Sequence, residues 1–262
     1  MTPSNVMNIK NLKQACKACS LGDLCLPLGV PLEDLELLEG IISRKRPVHR
    51  GDLLYQAGDQ LGCLYAVRCG SVKTFVLTDD GEEQITGFHL PGELLGLDAI
   101  GDGVHPCTAL SLETSSVCEI PFDGLEALAG RTPGLQHQLL RIMSRELQSD
   151  EQLMTLLGKR ASDARLAAFL LNLSDRFGRR GFSRHEFNLT MSRNDIGNYL
   201  GLAVETVSRM FSRFQSQDLI TVRRKLITLH DIEGLRRVAG LHGQQAQCTA
   251  ACEQRPEVSA GG

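Results

Sequence analysis

Between Leu135 and Leu157 the chain reads LQHQLLRIMSRELQSDEQLMTLL, and its apolar positions fall into two stripes. Leu140, Met143, Leu147, Asp150, Met154 and Leu157 follow the heptad spacing of a helix that faces a partner helix. Leu135, Leu139, Ile142, Leu153 and Leu156 form a second stripe beside it. A helix with two apolar faces can pack on its own domain with one and on a second copy of itself with the other. The pattern therefore predicts a dimerisation helix over residues 133–158, and a homodimer. Asp150 is the acidic member of the seam. In a parallel pair it meets its twin, and two carboxylates ~4 Å apart repel by ~4 kcal/mol at an effective dielectric of ~20, enough to make pairing conditional.

Before this helix, from about residue 47 to 122, the rhythm is different. Short apolar runs (LLYQAG, CLYAVRCG, SVKTFVLT, EQITGFHL, SVCEIPF) are separated by turn signals such as Gly51-Asp52, Asp79-Asp80-Gly81 and Pro91-Gly92. That spacing predicts a compact antiparallel β-roll or barrel, assigned to residues 29–132. Cys63 and Cys69 share a strand face with Tyr65 and Val67, which predicts small core residues.

After the long helix, Leu166, Phe169, Leu170 and Leu173 predict a further helix over Asp163–Phe177. Ser192 with Asp195 is a capping-box start, and Gly201 is a natural helix end. A second helix from about Ala203 to Gln217 buries Val207, Met210, Phe211 and Phe214, and turns Glu205, Ser208, Arg209 and Ser212 outward. Two short helices about Gly201 make a helix-turn-helix. Ile220-Thr221-Val222 and Leu226-Ile227-Thr228-Leu229 then form a hairpin around Arg223-Arg224-Lys225, so residues 159–240 read as a winged helix-turn-helix. The fold class expected is α+β. The tail, residues 241–262, is rich in Gly, Gln, Ala and Ser and reads as disordered, with incidental thiols at Cys248 and Cys252.

Charge sharpens the division. The net charge of −3 hides a surplus of basic residues in 159–240, where 15 Lys or Arg face 8 Asp or Glu; the remainder carries 13 against 23. A basic module on an acidic body suits a polyanion partner, and a helix-turn-helix names it as double-stranded DNA. Arg can bond guanine in the major groove, Glu can accept from cytosine and Ser can bond several base edges, so Glu205, Ser208 and Arg209 form a reading head of mixed chemistry. The basic hairpin tip suits backbone phosphates. No apolar run approaches the ~18 residues of a membrane span, and the first residues lack the apolar region of a signal peptide, which predicts a cytoplasmic protein with no membrane partner.

In such a compartment the nine cysteines point away from disulfides. Cys16, Cys19 and Cys25 stand in CKACSLGDLC, close enough to wrap one inorganic centre. Spacing leaves the fourth ligand open between Cys107 and Cys118. Structural zinc prefers two short Cys or His pairs, and a three-plus-one pattern suits an iron–sulfur cluster better. Gly92-Glu93, in HLPGEL, lies where a cyclic-nucleotide roll would hold its ligand's ribose. The phosphate would need an Arg some dozen residues on, and the matching stretch Val104-His105-Pro106-Cys107-Thr108-Ala109 has none. No cyclic nucleotide is expected.

On the cysteine spacing and on EQITGFHLPGELLGLDAIG, SSVCEIPF, RLAAFLLNLSDRFGRRGFS and LTMSRNDIGNYLGLAVETVSRMFSRFQ, the chain resembles the fumarate and nitrate reduction regulators (FNR). These are the oxygen-sensing branch of the cyclic-AMP receptor protein family, and the likeness covers residues 12–240. The resemblance implies that Cys118 is the fourth ligand of an oxygen-labile [4Fe-4S] cluster held in part by residues 1–28, leaving Cys107 a spare core thiol. It implies that Glu205, Ser208 and Arg209 read palindromic TTGAT-like sites, and that RNA polymerase is a partner. The function expected is an oxygen-responsive transcription regulator of anaerobic metabolism that dimerises without oxygen. A cyclic-nucleotide-gated or a zinc-stabilised regulator of the same fold are the alternatives.

Overall fold

The computed structural model describes residues 16, 19–28, 30–44 and 47–241; Cys248, Cys252 and the rest of the tail beyond Leu241 lie outside them, as do residues 1–15. The alternating segments fold into two antiparallel four-stranded sheets. Strands β1 (Ser43–Arg44), β8 (Ser116–Pro121), β3 (Cys63–Cys69) and β6 (Leu94–Leu95) lie in that order in one sheet. The other runs β2 (Leu53–Tyr55), β7 (Thr108–Ser111), β4 (Val72–Leu77) and β5 (Glu83–His89). Between them lie Tyr55, Tyr65, Val67, Val72, Leu95, Cys107, Ala109 and Val117, the two inner faces of a β-roll. The second face of β3 is also covered, by α1 (Leu32–Ile41) and α2 (Phe122–Ala129), so Leu64 and Ala66 are as buried as Tyr65 and Val67.

This corrects the expectation for Cys69, which is exposed because the β3–β8 register shifts between Val67 and Cys69 and the strand's end leaves the core, whereas Cys63 is half-buried and packs against the core between the sheets.

The long helix, α3 (Pro133–Lys159), starts with proline in its first turn, where the missing N–H costs nothing. Its inner stripe is buried at Leu135 and Ile142, with Leu139 packed against the α1–α2 core and Leu156 against the C-terminal core. Its outer stripe is bare: Leu140, Met143, Leu147 and Met154 are 58%, 40%, 61% and 67% exposed. Asp150 is exposed in line with them, while Leu157 is half-buried where its carbonyl accepts from Arg165.

Helix α4 (Ser162–Arg179) carries the C-terminal core on Leu166, Phe169, Leu170 and Leu173. Helix α5 (Arg193–Leu200) opens on the expected capping box, with the Ser192 hydroxyl accepting from the Asp195 N–H and the Asp195 carboxylate accepting from the Ser192 N–H. It ends at Gly201 in the left-handed conformation. Helix α6 (Val204–Ser216) follows, then the hairpin β10 (Ile220–Arg223) and β11 (Leu226–Leu229) and a last helix α7 (Ile232–Ala239). A strand that the apolar pattern did not reveal, β9 (Glu186–Asn188), pairs with β11 and makes the wing a three-stranded sheet.

Candidate functional site

Cys19 and Cys25 lie on a loop of successive turns: the Gly22 N–H donates to the Cys19 carbonyl and the Cys25 N–H to that of Leu21. Leu21 and Leu26 are buried, so the loop is pinned to the roll by its leucines while its thiols stay half-buried. Cys118 sits on β8 opposite Arg44 and Ala66. Cys16, Cys19, Cys25 and Cys118 thus come from two distant segments to line one cavity of about 40 Å³. Most of the remaining wall is apolar, from Leu21, Leu26, Pro27, Ile42, Ala66, Val67 and Ile120, and Gly22, Gly92 and Arg68 complete it. Cys107 is elsewhere, buried between the sheets with its thiol 3.2 Å from the Asp98 carboxylate.

Burial, and then the neighbouring Cys118, Cys16 and Cys19, push the Cys25 thiol up to about 12 although the Leu26 N–H favours the thiolate. A metal centre that takes Cys25 as a ligand must therefore displace its proton. No disulfide joins the described cysteines. Among the described residues no three Cys, His, Asp or Glu side chains converge as a single metal ion would require, with bonds of ~2.3 Å to sulfur. A cubane cluster spreads its ligands over separate corners. Four thiols around an apolar cavity fit that donor set and its need for shielding from water. One further contact ties the loop to α3: the buried Gln138 amide donates to the Cys25 carbonyl over 3.0 Å, while its own oxygen has no partner.

In the C-terminal domain the outward face of α6 is as expected. Glu205, Ser208, Arg209 and Ser212 are exposed, and Val207, Met210, Phe211 and Phe214 are buried beneath them. The Gln215 side chain accepts from the Val222 N–H over 3.0 Å, fixing the wing to α6. Arg193 stacks on Phe211, its guanidinium 3.1 Å from the ring centroid, and burial lowers its pKa to about 10. At the wing tip Arg224 takes φ +58, a left-handed conformation that a glycine would adopt without cost.

Glu93 stands where a cyclic-nucleotide roll would meet its ligand's ribose. Here its carboxylate accepts from both Arg176 and Arg180 of the α4 segment and from the Leu90 N–H. Arg176 and Arg180, opposing the cost of burial, hold the carboxyl near 2, well below the usual range. Further contacts join the roll to the C-terminal domain. Lys73 lies 2.7 Å from Glu83 and 3.2 Å from Asp195. Ser71 donates to Thr190, and the Ile85 N–H donates to the Asn198 side chain over 2.6 Å. Phe88, Phe169 and Tyr199 pack their rings across the same junction. Apart from Lys73 and Glu83, which share the β4–β5 hairpin, the partners lie far apart in sequence, so no local pattern could have paired them.

Comparison with known proteins places each half. Residues 45–132 match the model of a cyclic nucleotide-binding domain and residues 164–238 that of a Crp-like helix-turn-helix domain. The chain is 55% identical over 225 residues to the transcriptional activator protein Anr of Pseudomonas protegens, spanning 86% of this chain and 92% of the relative. It is 50% identical over 225 residues to the fumarate and nitrate reduction regulatory protein of Escherichia coli K12, spanning 86% and 90%. Among solved structures, FixK2 from Bradyrhizobium japonicum superposes with a TM-score of 0.69 at 30% identity, covering 76% of this chain and 97% of that one. No helix among the described residues is long and apolar enough to cross a membrane.

Proposed function

The chain belongs to the Crp/FNR family of DNA-binding transcription regulators, and from that premise we propose that it is an oxygen-responsive member carrying a [4Fe-4S] cluster on Cys16, Cys19, Cys25 and Cys118. The observation that carries this reading is the meeting of those four thiols, from a loop and a strand some ninety residues apart, around one apolar cavity. The cluster, when bound, supplies the oxygen-labile chemistry. The protein's own residues do the rest. Leu21 and Leu26 seat the loop, Gln138 ties it to α3, and the bare stripe of Leu140, Met143, Leu147 and Met154 offers a face for a second copy. Pairing along α3 sets two reading helices about one DNA turn apart, roughly 34 Å, to match a palindromic TTGAT-like site. Glu205, Ser208 and Arg209 then meet base edges, and Arg223, Arg224 and Lys225 meet phosphates, while RNA polymerase is engaged at promoters of anaerobic metabolism.

The test is iron and acid-labile sulfide per chain after strictly anaerobic purification, with oligomeric state recorded before and after air. About four of each, and a dimer that dissociates in air, is the expected outcome. One zinc with an air-indifferent dimer would replace this reading by the zinc-stabilised one. The match to a cyclic nucleotide-binding domain supports a second reading, which calorimetry with cyclic AMP would detect as heat of binding. Against it stands Glu93, whose carboxylate is already taken by two arginines.

A further inference from the structure

The turn Leu90–Leu94 separates the cysteine cavity from the DNA-binding domain. On one side Gly92 lines the cavity at φ +89, and a Cβ built there would lie 3.0 Å from that of Leu24, between Cys19 and Cys25. Any shift of the loop therefore meets the turn's backbone directly. The turn itself is pinned to β3, since the Gly92 N–H donates to the Val67 carbonyl over 2.7 Å and the Val67 N–H to that of Glu93 over 3.0 Å. On the other side, Arg176 bonds both the Glu93 carboxylate and the Phe88 carbonyl. Arg180 bonds the same carboxylate and the Pro91 carbonyl. A second cavity of about 210 Å³ is lined by Leu24, Gly92, Glu93, Arg176 and Arg180, so loop, turn and arginines border one space.

We propose that Glu93 is a positioning residue that carries the state of the cysteine loop to the DNA-binding domain: the loop seats on Gly92, the turn seats Glu93, and Glu93 seats Arg176 and Arg180. What moves the loop rests on the sensor reading above. The link resists being broken: the Glu93 carboxylate cannot part from both guanidiniums without leaving a charge unpaired away from water, while loss of one leaves it paired with the other. In this family of folds the Gly-Glu pair stands where a nucleotide's ribose would lie. Here the same carboxylate is committed to the chain's own DNA-binding domain, which turns a ligand contact into an internal one.

The experiment compares wild type, Glu93→Gln and Arg180→Gln, each purified anaerobically. Iron and sulfide are measured first, then the Kd for a palindromic site before and after air. Coupling between sites typically amounts to about 5–150-fold, and the wild-type ratio of the two Kd values is expected in that range. Both variants should hold iron and sulfide as wild type does, with the ratio within about twofold of one. A variant with full iron and the wild-type ratio overturns the proposal. A wild type with no iron overturns the sensor reading instead, and the relay is then judged on hydrogen exchange alone. In air-exposed protein, Leu24→Ala should speed exchange of the amides around Arg176 and Arg180, and should have no such effect in Glu93→Gln; equal effects in both backgrounds overturn the relay. Arg180→Gln serves the same cycle if Glu93→Gln does not fold.

Discussion

Replacing Asp150 by alanine tests whether dimerisation is held near balance. Burying the exposed parts of Leu140, Met143, Leu147 and Met154 on both protomers gains roughly 7–14 kcal/mol, taking ~1.5–3 kcal/mol for a whole side chain. Association costs an estimated 4–15 kcal/mol or more in lost freedom and ordering, a range of the same size as that gain. Against that background the charge at Asp150 decides. Its side chain is exposed, so the repulsion between twins at ~4 Å lies between ~1 kcal/mol in water and ~4 kcal/mol at an effective dielectric of ~20. Asp150→Ala should therefore tighten the dimer of air-exposed protein by between about fivefold and several hundredfold. Sedimentation velocity across a dilution series measures it. A pH series adds the sign: the partial desolvation that Asp150 keeps despite its exposure, and the Asp98 carboxylate, both raise its pKa, and protonation removes the repulsion. The wild-type dimer should tighten as pH falls through that value, and the difference between wild type and Asp150→Ala should vanish there. Glu146, one turn earlier, also titrates and is itself raised in part by Asp150, so the comparison is repeated in a Glu146→Gln background. Dimer constants equal within twofold at neutral pH would refute this role for Asp150.

Three further outcomes are expected. Cys118→Ala should lose the iron of the anaerobic protein and Cys107→Ala should keep it, as iron and sulfide analysis would show; the reverse would move the fourth ligand into the space between the sheets. Arg224→Gly should raise Tm, because it relieves ~1–2 kcal/mol of left-handed strain, yet reduce the slope of log Kd against log salt by about one; an unchanged slope would take the wing tip off the DNA. Burial, then the Glu93 carboxylate, push Glu146 up to about 7, with Arg176 opposing and Asp150 adding to it. The folded state thus holds that proton more tightly than the unfolded chain, and stability falls as pH rises from the ordinary glutamate range to about 7. Glu146→Gln should raise Tm at pH 8, by about 2–4 °C per kcal/mol relieved, and leave it unchanged at pH 4. Equal gains at both would show that Glu146 acts by packing.

What was legible in the sequence shares one property: its signal is local. The capping box at Ser192 and Asp195, the helix end at Gly201 and the buried face of α6 each lie within a turn or two of their partners, and the structure has them in place. The two stripes of α3 were legible for the same reason. The short strands were harder. β6 and β1 hold two residues each and carry no period of their own, and β9 exists only because β11 offers it an edge. Cys69 was misplaced because alternation along β3 breaks at a register shift, which depends on the partner strand.

Glu93 marks the boundary most sharply. The sequence places Gly92-Glu93 where a nucleotide's ribose would lie, and the lack of an Arg between Val104 and Ala109 leaves that nucleotide's phosphate without a partner. What it does not show is that Glu93 meets Arg176 and Arg180, more than eighty residues away on another domain. That gap has a physical cause. A carboxylate nearly out of water must find a cation, but burial dictates only that one exists and topology decides which. A Glu93 without a ligand's ribose or a nearby arginine had to be either solvated or claimed by another part of the chain. Once the roll packs on α4, solvation is no longer open to it, so the same packing that buries Phe88 against Phe169 and Tyr199 obliges the carboxylate to hold the two domains together.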